Sequence, residues 1–251
     1  MSLFQICYGP EIQSIFEVIN KQPGIKFQEL VKKFQYEENG DITSLVEAVG
    51  KFLVNLGFIE IDENKRIFPL IKKFSKLETL KRLTEISNSI KDPSDQNYVF
   101  SSLYYELFIR HNELYIKNLH YETNLHYEKC VVSHEKINAW KRIMQYLGLG
   151  YRVYGGFYAL PHLDLIVDII QLHQNWEGPF QEFIEKNVDP IIPCVFNGNA
   201  YNGVVYGLIN LSSTDLIELS KKQDLPFHSY GERKEWNWIK VGGDADDSVH
   251  N

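Results

Sequence analysis

An amphipathic helix that stops at a glycine and leads directly into a hairpin is the feature that most restricts how this chain folds. Residues 41–56 carry apolar side chains at helical spacing, and Gly57 ends the pattern. Two short runs of β-type residues follow, 58–61 and 66–68, and a polar turn separates them. Two shorter amphipathic segments precede this helix, at residues 11–21 and 25–34. Three helices followed by a hairpin predict a winged-helix-like unit.

The same order of signals returns further along the chain. Residues 133–146 form a second strong amphipathic pattern, and the triplet Leu147-Gly148-Leu149 parallels Leu56-Gly57-Phe58. Two β-type runs follow and turn at Gly155-Gly156. Chance recurrence of helix–glycine–hairpin segments is the alternative explanation. We interpret the pattern as an internal repeat, with a third, degenerate helix-plus-wing in the last part of the chain.

These patterns predict an α+β, mainly helical fold that consists of tandem winged-helix-like units, each with three helices and a hairpin wing. The turn at residues 92–96 is the first boundary, because it combines a proline with two aspartates. The predicted domains are a first unit at 1–91, a second at 97–162 and a helical and wing region at 163–241. Residues 242–251 form an acidic tail with few apolar residues, and we expect it to be disordered.

Composition excludes several classes of protein. No stretch approaches the roughly 20 apolar residues that a membrane span requires, and residues 1–10 lack the features of a secretion signal. The three cysteines, Cys7, Cys130 and Cys194, form no CxxC pair, which argues against a disulfide framework and a zinc ribbon. We therefore expect a cytoplasmic protein with reduced thiols and no association with membranes.

The charge of the chain bears on nucleic-acid binding. A net charge of −7 argues against a dedicated duplex-DNA binder, because such proteins cluster lysine and arginine against phosphates. The third helix of the first unit offers only Lys51. The second unit is richer in cations, and its candidate nucleic-acid-binding residues are Lys136, Lys141, Arg142 and Arg152. A solvated helix face is the alternative interpretation of this group.

Three possible metal ligands, His126, Cys130 and His134, follow one another at a spacing of four residues, which would place them on one face of a continuous helix. A helix break is expected before His134, however, because β-branched residues precede Ser133, which is a favourable N-cap. A polar, aromatic interface explains this histidine- and tyrosine-rich stretch better than a metal. We therefore predict no metal site and no cofactor.

A nuclease-like set of residues lies near the end of the chain. Asp224, Glu232 and Lys234 follow the acid and acid-x-lysine pattern in which two carboxylates hold Mg²⁺ and a lysine steadies the attacking water. Their spacing is short for that chemistry, and a charged wing is the alternative. Phosphate-binding and nucleophile motifs are absent from the sequence. We therefore predict no catalytic residues.

The last β-type segment is rich in tryptophan. Trp236 and Trp238 alternate with smaller residues, so both indoles are expected on one side of a strand. Such a pair is typical either of a core or of a protein interface, because tryptophan and arginine dominate interface energetics. The predicted partner-binding residues are Trp236, Trp238, Arg233, Lys234 and His228.

The tandem units, the acidic balance and the ending Glu232-Arg233-Lys234-Glu235-Trp236-Asn237-Trp238 together resemble an accessory subunit. In layout, the chain is similar to the middle components of bacterial three-component antiphage systems of the Lamassu type. The resemblance implies a protein that binds an SMC-like ATPase and an effector nuclease, and that helps to hold the effector silent until foreign DNA is sensed. It assigns no role to individual residues.

Three functions therefore stand as hypotheses. The first is a non-catalytic scaffold that docks an SMC-like ATPase and an effector subunit, with a secondary contact to DNA. The second is a winged-helix transcription regulator, which needs a basic face that the first unit lacks. The third is a Mg²⁺-dependent nuclease that uses the carboxylates described above.

Overall fold

The computed structural model describes residues 2–36, 40–223, 228–231 and 234–242. The predicted fold class is confirmed: the fold is α+β and mainly helical, with small antiparallel sheets. The chain divides into two compact units. The first contains Met1–Leu103, Lys117–Leu147 and Arg152–Phe157, and the second contains Tyr104–Ile116, Gly148–Tyr151 and Tyr158–Asn251. Among the described residues, no helix is long and apolar enough to cross a membrane.

The first repeat follows the order helix, strand, helix, helix, strand, strand. Its elements are α1 (Pro10–Lys21), β1 (Ile25–Lys26), α2 (Phe27–Phe34), α3 (Thr43–Asn55), β2 (Ile59–Ile61) and β3 (Arg66–Pro69). The sheet has the order β1-β3-β2, and Ile67 of β3 lies opposite Ile25 on one side and Ile61 on the other. A strand that precedes two of the helices therefore pairs with the hairpin that follows them.

The core of the first repeat forms where α1 and α3 turn their apolar faces inward. Phe16 of α1 and Phe52 of α3 are fully buried. Phe16 meets Phe58, which begins the hairpin, with the ring centroids 6.5 Å apart. Gly57 makes this approach possible, since its φ of +69° lies in the left-handed region that side chains disfavour, and it turns the chain from α3 into β2. The predicted helix–glycine–hairpin sequence is therefore present.

The second repeat has the same order of elements, and a separate helix, α4 (Lys76–Ser89), precedes it. Its elements are α5 (Gln96–Tyr104), β4 (Tyr115–Ile116), α6 (Leu119–His126), α7 (His134–Leu147), β5 (Tyr151–Val153) and β6 (Gly156–Tyr158), and its sheet has the order β4-β6-β5. Trp140 of α7 is fully buried, and its indole Nε1 donates to the Phe100 carbonyl oxygen at 2.9 Å. This bond satisfies the one polar group of that side chain inside the core.

One predicted element of this region is shorter in the structure. The helical pattern at residues 98–117 predicts a long helix, but the chain widens into a π-helical turn at Tyr105–Ile109 and then leaves the helix. Asn112 adopts a φ of +50°, which a continuing helix does not permit, and the Glu113 amide donates back to the Phe108 carbonyl oxygen. The apolar spacing persists beyond the point at which the backbone stops being helical.

The third repeat is also present in the same order. Its elements are α8 (Leu163–Gln171), β7 (Glu177–Pro179), α9 (Phe180–Phe183) with a π-helical continuation at Ile184–Val188, α10 (Asn202–Leu211), β10 (Ile217–Ser220) and β11 (Trp238–Val241). A small hairpin, β8 (Val195–Phe196) and β9 (Asn199–Ala200), is inserted before α10. The sheet has the order β7-β11-β10, with Trp238 opposite both Pro179 and Ser220.

The three repeats therefore share both an order of elements and a sheet order, in which the first strand always flanks the last. Apart from Gln96, the first residue of α5, their elements fall within the sequence ranges 1–91, 97–162 and 163–241 that the amino-acid pattern predicts. The two compact units divide the chain differently, because residues of the second repeat contribute to both of them. The predicted domain ranges stay a prediction.

Candidate functional site

An apolar groove runs along the first repeat, between its helices and its wing. The groove has a volume of about 310 Å³, and its lining includes Phe27 and Leu30 of α2, Val54 of α3 and Ile61 of β2. Ile61 is 52% exposed although its side chain is fully apolar. A contiguous apolar surface, and not a single exposed side chain, is what marks an interaction site.

The helix α3 contributes a glycine, Gly50, to the lining of the groove. A Cβ built at Gly50 meets no atom within 4 Å, so a side chain at this position would extend into open space. Glycine in a helix interior costs about 1 kcal/mol relative to alanine. The first repeat thus keeps a destabilising residue at the position where any other residue would partly fill the groove.

The charges at the groove are few and mostly paired. Lys51, the one cation of α3, forms an ion pair with Glu47 at 2.7 Å. Lys65, at the turn of the wing, is exposed, and no carboxylate of the described chain pairs with it. The helix α3 therefore offers no unpaired cation to a phosphate, since Lys51 is its one cation and is paired.

The predicted nucleic-acid-binding residues of the second repeat do not all reach the surface. Lys141 is only 2% exposed, and its ammonium donates to the carbonyl oxygens of Tyr154 at 3.3 Å and Gly155 at 3.2 Å. Burial lowers the pKa of Lys141, and the nearby Arg152 and Arg142 lower it further. The prediction that Lys141 contacts nucleic acid is therefore corrected: this side chain holds the wing from inside.

Two of the other predicted cations, Arg142 and Arg152, lie close enough to Lys141 for their charges to act on it. The Arg142 guanidinium lies 4.4 Å from the centroid of the Tyr8 ring, in a cation–π contact. Arg152 is exposed on β5, and its backbone amide donates to Gln145 Oε1 at 2.9 Å. Within residues 2–36, 40–223, 228–231 and 234–242, neither guanidinium has an acidic partner within ion-pair distance.

Lys136 differs from these two in its surroundings. Its ammonium donates to Gln96 Oε1 at 3.0 Å and lies 6.0 Å from the centroid of the Phe4 ring. It lines a separate groove of about 620 Å³ that also contains the acidic residues Asp41, Glu47 and Glu135. The negative charges of these acidic side chains disfavour the binding of a phosphate beside Lys136.

A residue that the sequence analysis passed over stands at the tip of the second wing. Tyr154 is 100% exposed, and its φ of +49° is unusual for a residue with a side chain. It follows Arg152 by two residues, and the ammonium of the buried Lys141 donates to its carbonyl oxygen. An aromatic residue inside a hairpin turn was the only signal in the sequence that could have drawn attention to this position.

The predicted partner-binding residues lie in and beside the third wing. Trp236 and Trp238 are both half-buried, and Trp238 Nε1 donates to Glu177 Oε1 at 3.1 Å. Trp236 forms a bridge with Tyr230 ahead of β11. His228 and Lys234 are exposed. Arg233 lies outside the described residues, as do Asp224 and Glu232 of the nuclease hypothesis.

A buried amide beside these indoles is a further residue that sequence reasoning missed. Asn237 is 4% exposed, its Oδ1 accepts from the Lys222 amide at 2.8 Å and its Nδ2 donates to the Lys222 carbonyl oxygen at 2.9 Å. The alternation predicted for the strand is therefore present, with Asn237 and Ile239 inward and the indoles partly outward. Asparagine is uncommon at an inward position, so no sequence signal indicated this role.

The candidate zinc ligands are divided by the predicted helix break. His126 ends α6 and His134 begins α7, while Cys130 lies between the helices and is buried. In the part of the chain that the structure describes, no group of three or more histidine, cysteine, aspartate or glutamate side chains is placed to hold a metal ion. The rings of His120 and His134 pack edge to face, with their centroids 5.4 Å apart.

Comparison of this chain with protein-family models, with curated proteins and with solved structures finds no match.

Proposed function

We propose that this chain is a non-catalytic assembly subunit built from three winged-helix-like repeats, and that it docks a protein partner in the groove of the first repeat. The observation that carries the proposal is the apolar lining of that groove, beside a third helix whose only lysine is paired with Glu47. A helix that reads DNA presents unpaired cations and hydrogen-bonding side chains instead.

The chemistry of the groove suits an amphipathic helix of the partner. Apolar side chains on one face of such a helix would cover Phe27, Leu30 and Ile61. Each Å² of apolar surface that this contact removes from water favours binding by about 25 cal/mol. Lys65 at the wing adds an unpaired positive charge at the edge. A carboxylate flanking the apolar stripe of the partner helix would complement it.

The layout of the chain implies two partners, an SMC-like ATPase and an effector subunit, and we propose that the ATPase is the one that binds the groove. Each helix of a coiled coil carries one apolar stripe, which the other helix of the coiled coil covers. Where that other helix ends, the stripe is left uncovered and would be available to the groove. The proposed subunit would hold such a helix and so connect the ATPase with the effector of an antiphage complex.

Two substitutions at one position test the groove without damaging the fold. Gly50→Ala adds a methyl group in open space and retains most of the groove, whereas Gly50→Leu fills its floor. Both replace a helical glycine, so both variants are expected to be at least as stable as the wild type.

In the experiment, a photo-crosslinking amino acid replaces Ile61 and the protein is expressed in its native host. Nuclease is added to remove nucleic acid, and the crosslinked partner is identified by mass spectrometry. We expect crosslinks to one apolar helical segment of a coiled-coil ATPase, retained in Gly50→Ala and lost in Gly50→Leu. Equal capture by both variants, or crosslinks to no protein, would overturn the proposal.

A further inference from the structure

We propose that the wing of the second repeat is a contact for unpaired nucleotides, in which Tyr154 stacks on a base while Arg152 and Arg142 hold the neighbouring phosphates. This site is separate from the groove of the first repeat, and it does not depend on the docking function proposed above.

The first observation is the unusual state of Tyr154. Its side chain is 100% exposed, so no face of the ring is covered by the described protein. Its φ of +49° lies in the left-handed region, where a residue with a side chain costs free energy and persists only if its surroundings fix it. Lys65 at the turn of the first wing has a similar φ of +58°, so the turn explains the backbone but not the bare aromatic ring, and it is the ring that points to a ligand.

The second observation is the way in which the tip is held. The buried ammonium of Lys141 donates to two consecutive carbonyl oxygens of the turn, those of Tyr154 and Gly155. Burying a lysine is unfavourable, and these hydrogen bonds offset part of the cost. The tip is therefore fixed before any ligand arrives, and less conformational entropy is lost on binding.

The third observation is a pair of guanidinium groups, Arg152 and Arg142, that lie close enough to Lys141, the residue that holds the tip, for their charges to act on it. Arg152 precedes Tyr154 by two residues and is exposed. The ring of Tyr8 lies under Arg142 at 4.4 Å and orients its guanidinium. Across the described ranges no ion pair occupies either group, so both retain donors for phosphate oxygens.

A bare aromatic ring next to free cations matches the alternation of bases and phosphates in a single strand. Stacking on an aromatic side chain accepts any base, but it requires that the base be unpaired, because a base inside a duplex is already stacked on its neighbours. An acidic protein segment would form ion pairs with the two arginines but would make no stacking contact with the ring of Tyr154. The exposed ring therefore favours single-stranded nucleic acid over both a duplex and an acidic peptide.

The test measures fluorescence anisotropy of a labelled oligothymidine of about 15 nucleotides, a length within the usual site sizes, against the full chain. Loss of one stacked base corresponds to a weakening of about 5- to 150-fold, which we expect for Tyr154→Ala. Tyr154→Phe should bind like the wild type. Tyr36→Ala is the control: it removes a tyrosine of the first repeat that is 94% exposed, and it should leave the affinity for the oligothymidine unchanged.

Salt dependence tests the arginines separately. Two phosphate contacts to a single strand predict that the logarithm of the association constant falls with the logarithm of salt concentration with a slope of about −1.4. Arg152→Gln should reduce this slope to about −0.7, as one contact is lost. Unchanged affinity in Tyr154→Ala would overturn the proposal, and so would equal competition by a blunt duplex or by poly-glutamate.

Discussion

The ammonium of Lys141 lies 3.3 Å from the carbonyl oxygen of Tyr154, so a buried cation of α7 holds the tip of the second wing. A second bond, to Gly155 at 3.2 Å, fixes the next peptide unit. The helix and the wing of this repeat are therefore joined by a polar contact as well as by apolar packing. The conformation of the exposed tip depends on a residue that is itself 2% exposed.

Replacing this lysine should release the wing. Lys141→Met keeps much of the side-chain volume but removes both donors, and we expect a loss of about 1–2 kcal/mol in the free energy of unfolding by urea. Chymotrypsin should then cleave faster after Tyr154, because the turn is no longer fixed. Lys117→Met, at an exposed position, serves as the control. Identical cleavage rates in the two variants would show that the tip is held by other contacts.

Asn237 should be the most sensitive polar residue of the third wing. Asn237→Ala removes two hydrogen bonds to the main chain of Lys222 and leaves that amide and carbonyl without their partner, which we expect to cost about 2 kcal/mol. Urea unfolding measures the change. Asn199→Ala, at an exposed asparagine of the inserted hairpin, should cost much less. Equal losses in both variants would contradict the role assigned to Asn237.

The neighbouring indoles test whether the third wing also takes part in assembly. Trp236 and Trp238 are only half-buried, so we expect Trp236→Ala with Trp238→Ala to abolish co-purification of the partner while the variant remains folded by circular dichroism. Trp238→Phe is the matched control, because it keeps an aromatic ring and loses only the bond to Glu177. Retained assembly in the double variant would exclude this strand as a docking surface.

Local signals predicted the parts of the fold that depend on local chemistry. Gly57 and Gly148 mark the two clearest helix ends, since both have a positive φ that terminates a helix, and the hairpins follow each of them. The first strand of each repeat was missed as a separate element. β1 has only two residues, and it exists because Ile25 pairs with Ile67, far along the chain. No local pattern can report such a pair.

The candidate sites were predictable only in part, for similar reasons. The sequence identified the cations of the second repeat, but the charge of Lys141 gave no indication that its side chain is buried. The groove of the first repeat depends on a missing side chain, at Gly50, and on the positions of four other elements. A concave surface is a property of packing, so periodicity within one helix cannot reveal it.

The thiol of Cys7 should make stability depend on pH in the alkaline range. Cys7 is fully buried, and burial, with a smaller contribution from Glu11, raises its pKa from the ordinary 9.0 to about 12. Below pH 9 the thiol is protonated in both the folded and the unfolded chain. Between pH 9 and 12 the unfolded chain loses this proton and the folded chain retains it, so stability falls as pH rises.

Cys7→Ala isolates this contribution. The variant should be less stable than the wild type at pH 8, because it leaves a small cavity. The difference should then shrink by about 1.4 kcal/mol for each pH unit above 9, since only the wild type carries the buried thiol. Urea unfolding at several pH values between 8 and 10.5 measures the difference. A difference that stays constant with pH would mean that the thiol titrates alike in the folded and unfolded chains.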